Sequence, residues 1–279
     1  MRFVRFGPTG AERPGVLDHE GRIRDLSGDF RDLSGADLAR LGAVDPHKLP
    51  LVEGSQRLGV PVAGVGKYIC IGMNYTDHAR ENGMFPPREP IFFLKATSAL
   101  CGPNDPVILP RGSVKADFEA ELGVVIGSEA KYVTEDAALS HVAGYVAVND
   151  LSDREFQIER AGQWTKGKSA DTFGPVGPWL VTPDEAGDPQ DMVLRLHLNG
   201  VAMQDGHTAN MIFPVKRLIS YVSQFMSLQP GDIIATGSPA GVGMGRRPQV
   251  WLKPGDEMEL EVGRLGTQRQ TVQRYQGFD

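Results

Sequence analysis

The sequence predicts a mainly β protein with a few short helices, an α+β fold. Short apolar runs of strand length recur along most of the chain, and long helical periodicities are few. The 279 residues include 34 Gly and 20 Pro, which punctuate those runs at short intervals. A βαβ wound sheet would need helical patterns between its strands, and the sequence supplies few.

Residues 1–65 are expected to form a small N-terminal domain, and 66–279 the main domain. In the first part, Met1-Arg-Phe-Val-Arg-Phe6 alternates as a strand does, and short strand-like pieces follow at 15–17 and 22–24. A helix-compatible stretch lies at 36–41, and the Gly- and Pro-rich run 59–66 is a connector. Beyond it, strands are predicted at 68–71, 91–94, 107–109, 118–126, 141–148, 179–181, 193–198, 233–235 and 257–262. The clearest helix is 216–226. Its apolar residues Leu218, Ile219, Val222, Phe225 and Met226 recur at three- and four-residue steps.

Composition narrows the function classes. The chain is 41% hydrophobic and 23% charged, ordinary for a folded protein. Its net charge is −6 and its pI about 5.6, and no basic stripe is present, so no nucleic-acid partner is expected. No apolar run approaches the roughly 20 residues that span a bilayer, so no membrane partner is expected either. The first residues lack the apolar core and cleavage site of a signal peptide, which points to the cytoplasm. Cys70 and Cys101 have no metal-type spacing and are expected as buried free thiols.

The strongest chemical signal is Asp117-Phe-Glu-Ala-Glu-Leu-Gly-Val-Val-Ile-Gly127. Strand side chains alternate, so Glu119 and Glu121 share a face, roughly 7 Å apart. Taken alone, this is most simply a strand with one solvated face. The apolar run Val124-Val-Ile126 argues instead for burial on both faces, and buried carboxylates need counter-charge. Asp150 ends another apolar run, and Ser152-Asp-Arg-Glu155 after it has the form of a capping box, predicting a helix start. Three carboxylates without nearby Cys or His suit a hard cation: Mg²⁺ first, then Mn²⁺ or Ca²⁺. They would leave coordination positions open for substrate and water.

After the strand at 68–71, Thr76 or Asp77 can cap a short helix that Gly83 ends. On it His78 and Glu81 lie three apart on one face, and a carboxylate beside an imidazole raises its basicity for general-base work. For an isolated pair, a surface charge pair is the commoner meaning. The Pro-rich segment 84–87 beyond it can form a lid or a tight connection. Gly162-Gln-Trp-Thr-Lys-Gly-Lys-Ser169 matches a nucleotide P-loop in letters only. Polar, helix-like residues precede it and Gly-Pro-rich ones follow, whereas a P-loop needs a strand before and a helix after.

Several segments in order make a more specific pattern: Gly72-Met-Asn-Tyr-Thr-Asp-His78, Pro90-Ile-Phe-Phe-Leu-Lys95, Glu119-Ala-Glu121, Asn149-Asp150, Gly167-Lys-Ser169 and Gly231-Asp-Ile-Ile-Ala-Thr-Gly-Ser-Pro-Ala-Gly241. From about residue 67 to 270 the chain resembles the fumarylacetoacetate hydrolase family. The resemblance implies a rolled, mostly antiparallel β-structure and a homodimer. It implies that Glu119, Glu121 and Asp150 hold the metal and that His78, Glu81 and Lys168 are catalytic. It implies that Arg154 and Gln157 contact substrate. The family's Thr-Gly-Thr-Pro loop becomes Thr236-Gly-Ser-Pro239, which puts a hydroxyl at Ser238. The tail, Leu265-Gly-Thr-Gln-Arg-Gln270, is similar to a branch acting on 2,4-dioxo-3-deoxy sugar acids.

The expected activity is hydrolysis of the C3–C4 bond of a small 2,4-dioxo acid, an acylpyruvate or a 2,4-diketo-3-deoxy sugar acid, to pyruvate and a carboxylic acid. His78, oriented by Glu81, would activate water, and Lys168 would support developing negative charge. Related metal–enolate outcomes are the alternatives: oxaloacetate decarboxylation, hydration of a 2-oxo-alkenoate, or ureidoglycolate cleavage. An alternative of another class is a metal-stabilised binding module without turnover.

Overall fold

The computed structural model describes residues 1–277 except Asn82 and Met84. Strands outnumber helices in the regular structure and form two main sheets, two two-stranded ones besides, with short helices around them. A nine-stranded sheet runs in the order 23–25, 13–17, 2–6, 180–181, 142–149, 120–126, 233–235, 68–72, 91–95. All its pairings are antiparallel except that of Ile233–Ala235 with Tyr68–Gly72. A five-stranded sheet runs 201–207, 193–198, 257–262, 267–274, 107–109, again mostly antiparallel. Strands Val201–His207 and Thr267–Arg274 were not among the sequence expectations. Their polar residues, such as Gln204, Asp205, Gln268 and Gln270, mask the alternation.

The central strand, Ala120–Ile126, is buried over its whole length. Phe118, Leu122, Val124 and Ile126 enter one apolar core, with Leu194, Leu196 and Leu260 of the second sheet and Leu218 and Val222 of the helix. Val125 points the other way, into a second core shared with Phe3, Val16, Leu26 and Leu33 of the N-terminal segment. The alternation read from the sequence therefore holds, and apolar contacts cover both faces. The first strand, Arg2–Phe6, pairs with Leu180–Val181, so the N-terminal strands extend the same sheet.

Two local expectations need correction. The helix expected at 216–226 is Val215–Val222. Ser223 ends it, its buried hydroxyl donating back to the Ser220 carbonyl and accepting from the Val133 N–H, and Phe225 beyond it is exposed. The capping box at 152–155 does not cap. Ser152 and Asp153 pair as a short strand with Ala116–Asp117, and the Ser152 hydroxyl donates to Glu119 and to the Asp150 carbonyl. Asp153 instead accepts the Phe156 N–H, and the chain winds as a π-turn over Glu155–Glu159.

Cys70 and Cys101 are buried free thiols, and burial pushes Cys101 up to about 12. No helix among the described residues is long and apolar enough to cross a membrane.

Candidate active site

Sheet register assembles the acidic cluster. Asn149 pairs with Ala120 across adjacent strands, so Asp150 falls beside Glu119, and its N–H donates to the Glu119 carbonyl at 2.9 Å. Glu119, Glu121 and Asp150 each offer an oxygen within 4.8 Å of the others, and all three are buried. They line a cavity of about 260 Å³ together with His78, Lys168 and Ser238. Phe93, Ile158 and Trp164 give the same cavity an apolar wall.

Cations surround two of the carboxylates. Lys168, from the helix Trp164–Lys168, donates to Glu119 Oε2 and, at 2.6 Å, to Asp150 Oδ2. Arg154 donates from Nη2 to Glu119 Oε1 at 2.7 Å and from Nε to Asp117 at 2.9 Å. Lys95 Nζ lies 2.6 Å from Asp150 Oδ1 as an ion pair, while its protons are aimed at the Leu151 and Lys168 carbonyls, 2.9 and 2.5 Å away. Lys95 and Asp117 were missed as site residues, although Lys95 ends one recognised motif and Asp117 opens the acidic segment 117–127. Nothing in a local pattern marks a lysine on an apolar edge strand as the partner of a carboxylate 55 residues away.

Glu121 is different. It accepts one N–H, from Gly237 at 2.8 Å, and among the described residues no cation pairs with it. Burial pushes Glu121 well above the usual carboxylate range, and the charges of Asp150 and Glu119 push it further. Burial also pushes Glu119 up, but Arg154 and Lys168 outweigh it and hold the group below the usual range. Burial pushes Lys168 down, and Asp150 and Glu119 reverse this, keeping it protonated. A buried carboxylate short of positive charge, beside two others, fits a hard divalent cation. That donor set is all oxygen, with no thiol or imidazole.

The helix Thr76–Glu81 brings the imidazole to this cavity. His78 Nδ1 lies 3.3 Å from Glu81 Oε2, and Glu81 Oε1 accepts the Gly241 N–H at 3.0 Å. Gly83 follows with a φ of 65°, as expected for a helix end. The proposed lid segment is described at Phe85, Pro86 and Pro87, whereas Met84 lies outside the described residues. Gln157 is buried and accepts from Arg154 Nη1 at 3.0 Å. Ser238 donates to the Ala120 carbonyl and accepts from Gln204, so its hydroxyl anchors the 236–239 loop to the strand entry. The P-loop-like segment is preceded by the π-turn, not by a strand, and its Lys168 is engaged by carboxylates.

Residues 67–273 match the family described as Fumarylacetoacetate (FAA) hydrolase C-terminal. The chain belongs to the fumarylacetoacetate hydrolase family. This family member is 56% identical over 276 residues to the 2,4-didehydro-3-deoxy-L-rhamnonate hydrolase of Sphingomonas sp. (strain SKA58), covering 99% of this chain and 97% of that one. Its fold is similar to that of the fumarylacetoacetate hydrolase from Exiguobacterium antarcticum, with a TM-score of 0.87 and 34% identity over 99% of this chain and 100% of that one. It is also similar to the 2-hydroxyhepta-2,4-diene-1,7-dioate isomerase of Mycobacterium marinum, with a TM-score of 0.76 and 32% identity over 99% and 100% of the two chains. The mainly β, mostly antiparallel fold expected from the sequence is thus that of a hydrolase and isomerase family.

Proposed function

We propose that this enzyme is a divalent-cation-dependent hydrolase. It cleaves the C3–C4 bond of a short 2,4-dioxo acid, releasing pyruvate and a carboxylic acid. The observation that carries this reading is the meeting, in one cavity, of three buried carboxylates with the His78 imidazole, whose Nδ1 faces the Glu81 carboxylate. The name of the Sphingomonas relative supports a 2,4-diketo-3-deoxy sugar acid as the substrate class.

Glu119, Glu121 and Asp150 would hold the cation, Mg²⁺ before Mn²⁺ or Ca²⁺, and when bound it supplies electrophilic stabilisation of the negative charge that develops at the 2-oxo group. His78, oriented by Glu81, takes a proton from the water that attacks C4. Lys168 stays protonated and stabilises the negative charge that forms as the bond breaks. The C3–C4 electron pair leaves as the enolate of pyruvate, which takes at C3 the proton that His78 removed from water, so that the imidazole is neutral again. Arg154 holds Glu119, and Gln157 and Ser238 line the cavity where substrate would lie. Among the described residues, none of 1–65 lines this cavity, which supports placing catalysis within 66–279; the strands of 1–65 extend the same sheet, so the proposed small N-terminal domain is packed continuously onto the rest.

The isomerase name of the Mycobacterium marinum neighbour favours a second reading, proton transfer on an enolate without C–C cleavage. The His78–Glu81 pair would serve as the base in either reading, so release of pyruvate decides between them. We also propose a cytoplasmic homodimer. Strand Ile91–Lys95 ends the nine-stranded sheet with Ile91 and Leu94 exposed, beside the ring cluster of Phe92, Tyr221 and Phe225. Light scattering measures the mass in solution.

The activity is tested by incubating the protein and Mg²⁺ with a panel of 2,4-dioxo acids and measuring pyruvate with a coupled assay. A 2,4-dioxo-3-deoxy sugar acid should be turned over with higher kcat/KM than acetylpyruvate. Removal of the cation with EDTA should abolish turnover. Oxaloacetate decarboxylation or ureidoglycolate cleavage running orders of magnitude faster would overturn the hydrolase reading.

A further inference from the structure

Asp117 lies two residues before Glu119 and is fully buried. Its carboxylate accepts from four donors. Oδ1 takes the N–H groups of Phe118 at 2.9 Å and Gly243 at 2.6 Å. Oδ2 takes the Met244 N–H at 3.1 Å and Arg154 Nε at 2.9 Å. Through Arg154, whose Nη2 donates to Glu119, Asp117 is tied to the acidic cluster. Through Gly243 and Met244 it is tied to a loop 126 residues further along the chain.

That loop is where Glu81 rests. Gly241 donates its N–H to Glu81 Oε1 at 3.0 Å, and the other carboxylate oxygen faces His78 Nδ1 at 3.3 Å. Gly245 packs flat against the same carboxylate. A Cβ placed there would stand 2.2 Å from the Glu81 carboxyl carbon. Gly241 and Gly243 are needed for close backbone approach, since a Cβ on either would lie 2.1 Å from the Met203 carbonyl or 2.0 Å from the Val250 carbonyl. The loop is thus held from below by Asp117 and offers a surface without side chains to Glu81.

We propose that Asp117 is a positioning residue which, through the loop 241–245, fixes the Glu81–His78 pair relative to Glu119, Glu121 and Asp150. The inference rests on the proposed hydrolytic role of that pair. The physical reason is that the two halves of the site sit on separate elements, a short helix and a sheet strand. A catalytic constellation tolerates misplacement poorly, and about 1 Å costs on the order of 10²-fold in rate. One buried carboxylate, tied through Arg154 to the acidic cluster and through the loop to Glu81, sets their spacing without touching substrate.

Gly245→Ala tests the seat without removing any catalytic group. The new methyl should displace the Glu81 carboxylate. The expected result is a fall in kcat of about 10- to 100-fold, with KM and the calorimetric Kd for Mg²⁺ within about twofold of wild type. In a Glu81→Ala background the same substitution should cost nothing further, because the clashing group is gone. Asp117→Asn should lower kcat in the same way and should also be blunted in the Glu81→Ala background. Amide hydrogen exchange of helix 76–81 should rise in Gly245→Ala and in Asp117→Asn, which reads the docking even where no dioxo acid is turned over. Wild-type kcat and exchange in Gly245→Ala, or an equal loss with and without Glu81, would overturn the proposal. So would a loss of Mg²⁺ affinity in Asp117→Asn as large as its loss of kcat. If Asp117→Asn does not fold, Asp117→Glu takes its place in the same measurements, and wild-type kcat and helix exchange in it would overturn the proposal.

Discussion

Lys168 Nζ lies 2.6 Å from Asp150 Oδ2 and bridges that carboxylate to Glu119. With Arg154 on Glu119 and Lys95 on Asp150, it is one of three buried counter-charges of the cluster, and the one that touches both carboxylates. Breaking such a pair leaves buried charge uncompensated, at a cost of about 3–5 kcal/mol. Lys168→Met should therefore lower the Tm of the cation-free protein, and Mg²⁺ should restore much of the loss. Its kcat should fall by about 10²–10³-fold, as for loss of a charge stabiliser. Thermal unfolding with and without Mg²⁺, together with steady-state kinetics, checks both. An equal Tm loss with and without the cation would show that Lys168 is only a packing residue.

Glu121 makes the opposite case, because it is buried beside two carboxylates with a single N–H donor. Glu121→Ala should weaken Mg²⁺ binding at least tenfold or so. It should also raise the Tm of the cation-free protein, since a buried carboxylate disfavoured by burial and by its two neighbours is removed. Calorimetric titration measures the first effect and unfolding in EDTA the second. Unchanged Mg²⁺ affinity would remove Glu121 from the cation site.

His78→Ala should lower kcat by about 10²–10⁴-fold and leave the Mg²⁺ affinity nearly unchanged. Glu81→Gln should move kcat in the same direction. The double variant should lose much less than the sum, because the two groups act as a unit. Additive losses in the kinetic cycle would assign the helix to structure alone.

In the N-terminal segment, the buried Asp18 accepts from the backbone of Glu20 and Arg22 and from the guanidinium groups of Arg22 and Arg24. Desolvation pushes its carboxyl up, but these donors outweigh it and hold it well below the usual range. A lowered folded value means that the stabilisation is complete above the unfolded value, about 3.9, and is lost as pH falls through the folded one. Asp18→Asn should therefore unfold at a lower temperature than wild type at pH 7. The gap should narrow steadily as the pH falls below about 4. A gap that is the same at every pH would mean that the carboxylate charge contributes nothing.

The site was legible in the sequence to the extent that its signals are local. Glu119 and Glu121 could be placed on one face because strand side chains alternate with a period of two. His78 and Glu81 could be paired because three residues make nearly one helical turn. Motif order pointed to the family. The capping box at Ser152 misled because its hydroxyl was taken by Glu119, which is 33 residues away in sequence. The strand at 267–274 was missed because Gln268 and Gln270 are buried polar residues. Their amides bond the Ala147, Gly177 and Pro103 carbonyls, which no alternation pattern announces.

What the sequence determined by itself was the strand-rich class, the family, and the short-range pairs of chemical groups. Those follow from backbone periodicity within a few residues. Only the tertiary structure decided which cation meets which carboxylate. The pairing of Asn149 with Ala120 carries Asp150 to Glu119. The packing of helix Trp164–Lys168 and strand Ile91–Lys95 then delivers Lys168 and Lys95 to the first two carboxylates and leaves Glu121 with a lone N–H. The reason is physical. A buried charge takes its partner from whatever the completed sheet register places within about 3 Å, and that register is fixed by the burial of whole faces, not by any neighbouring residue.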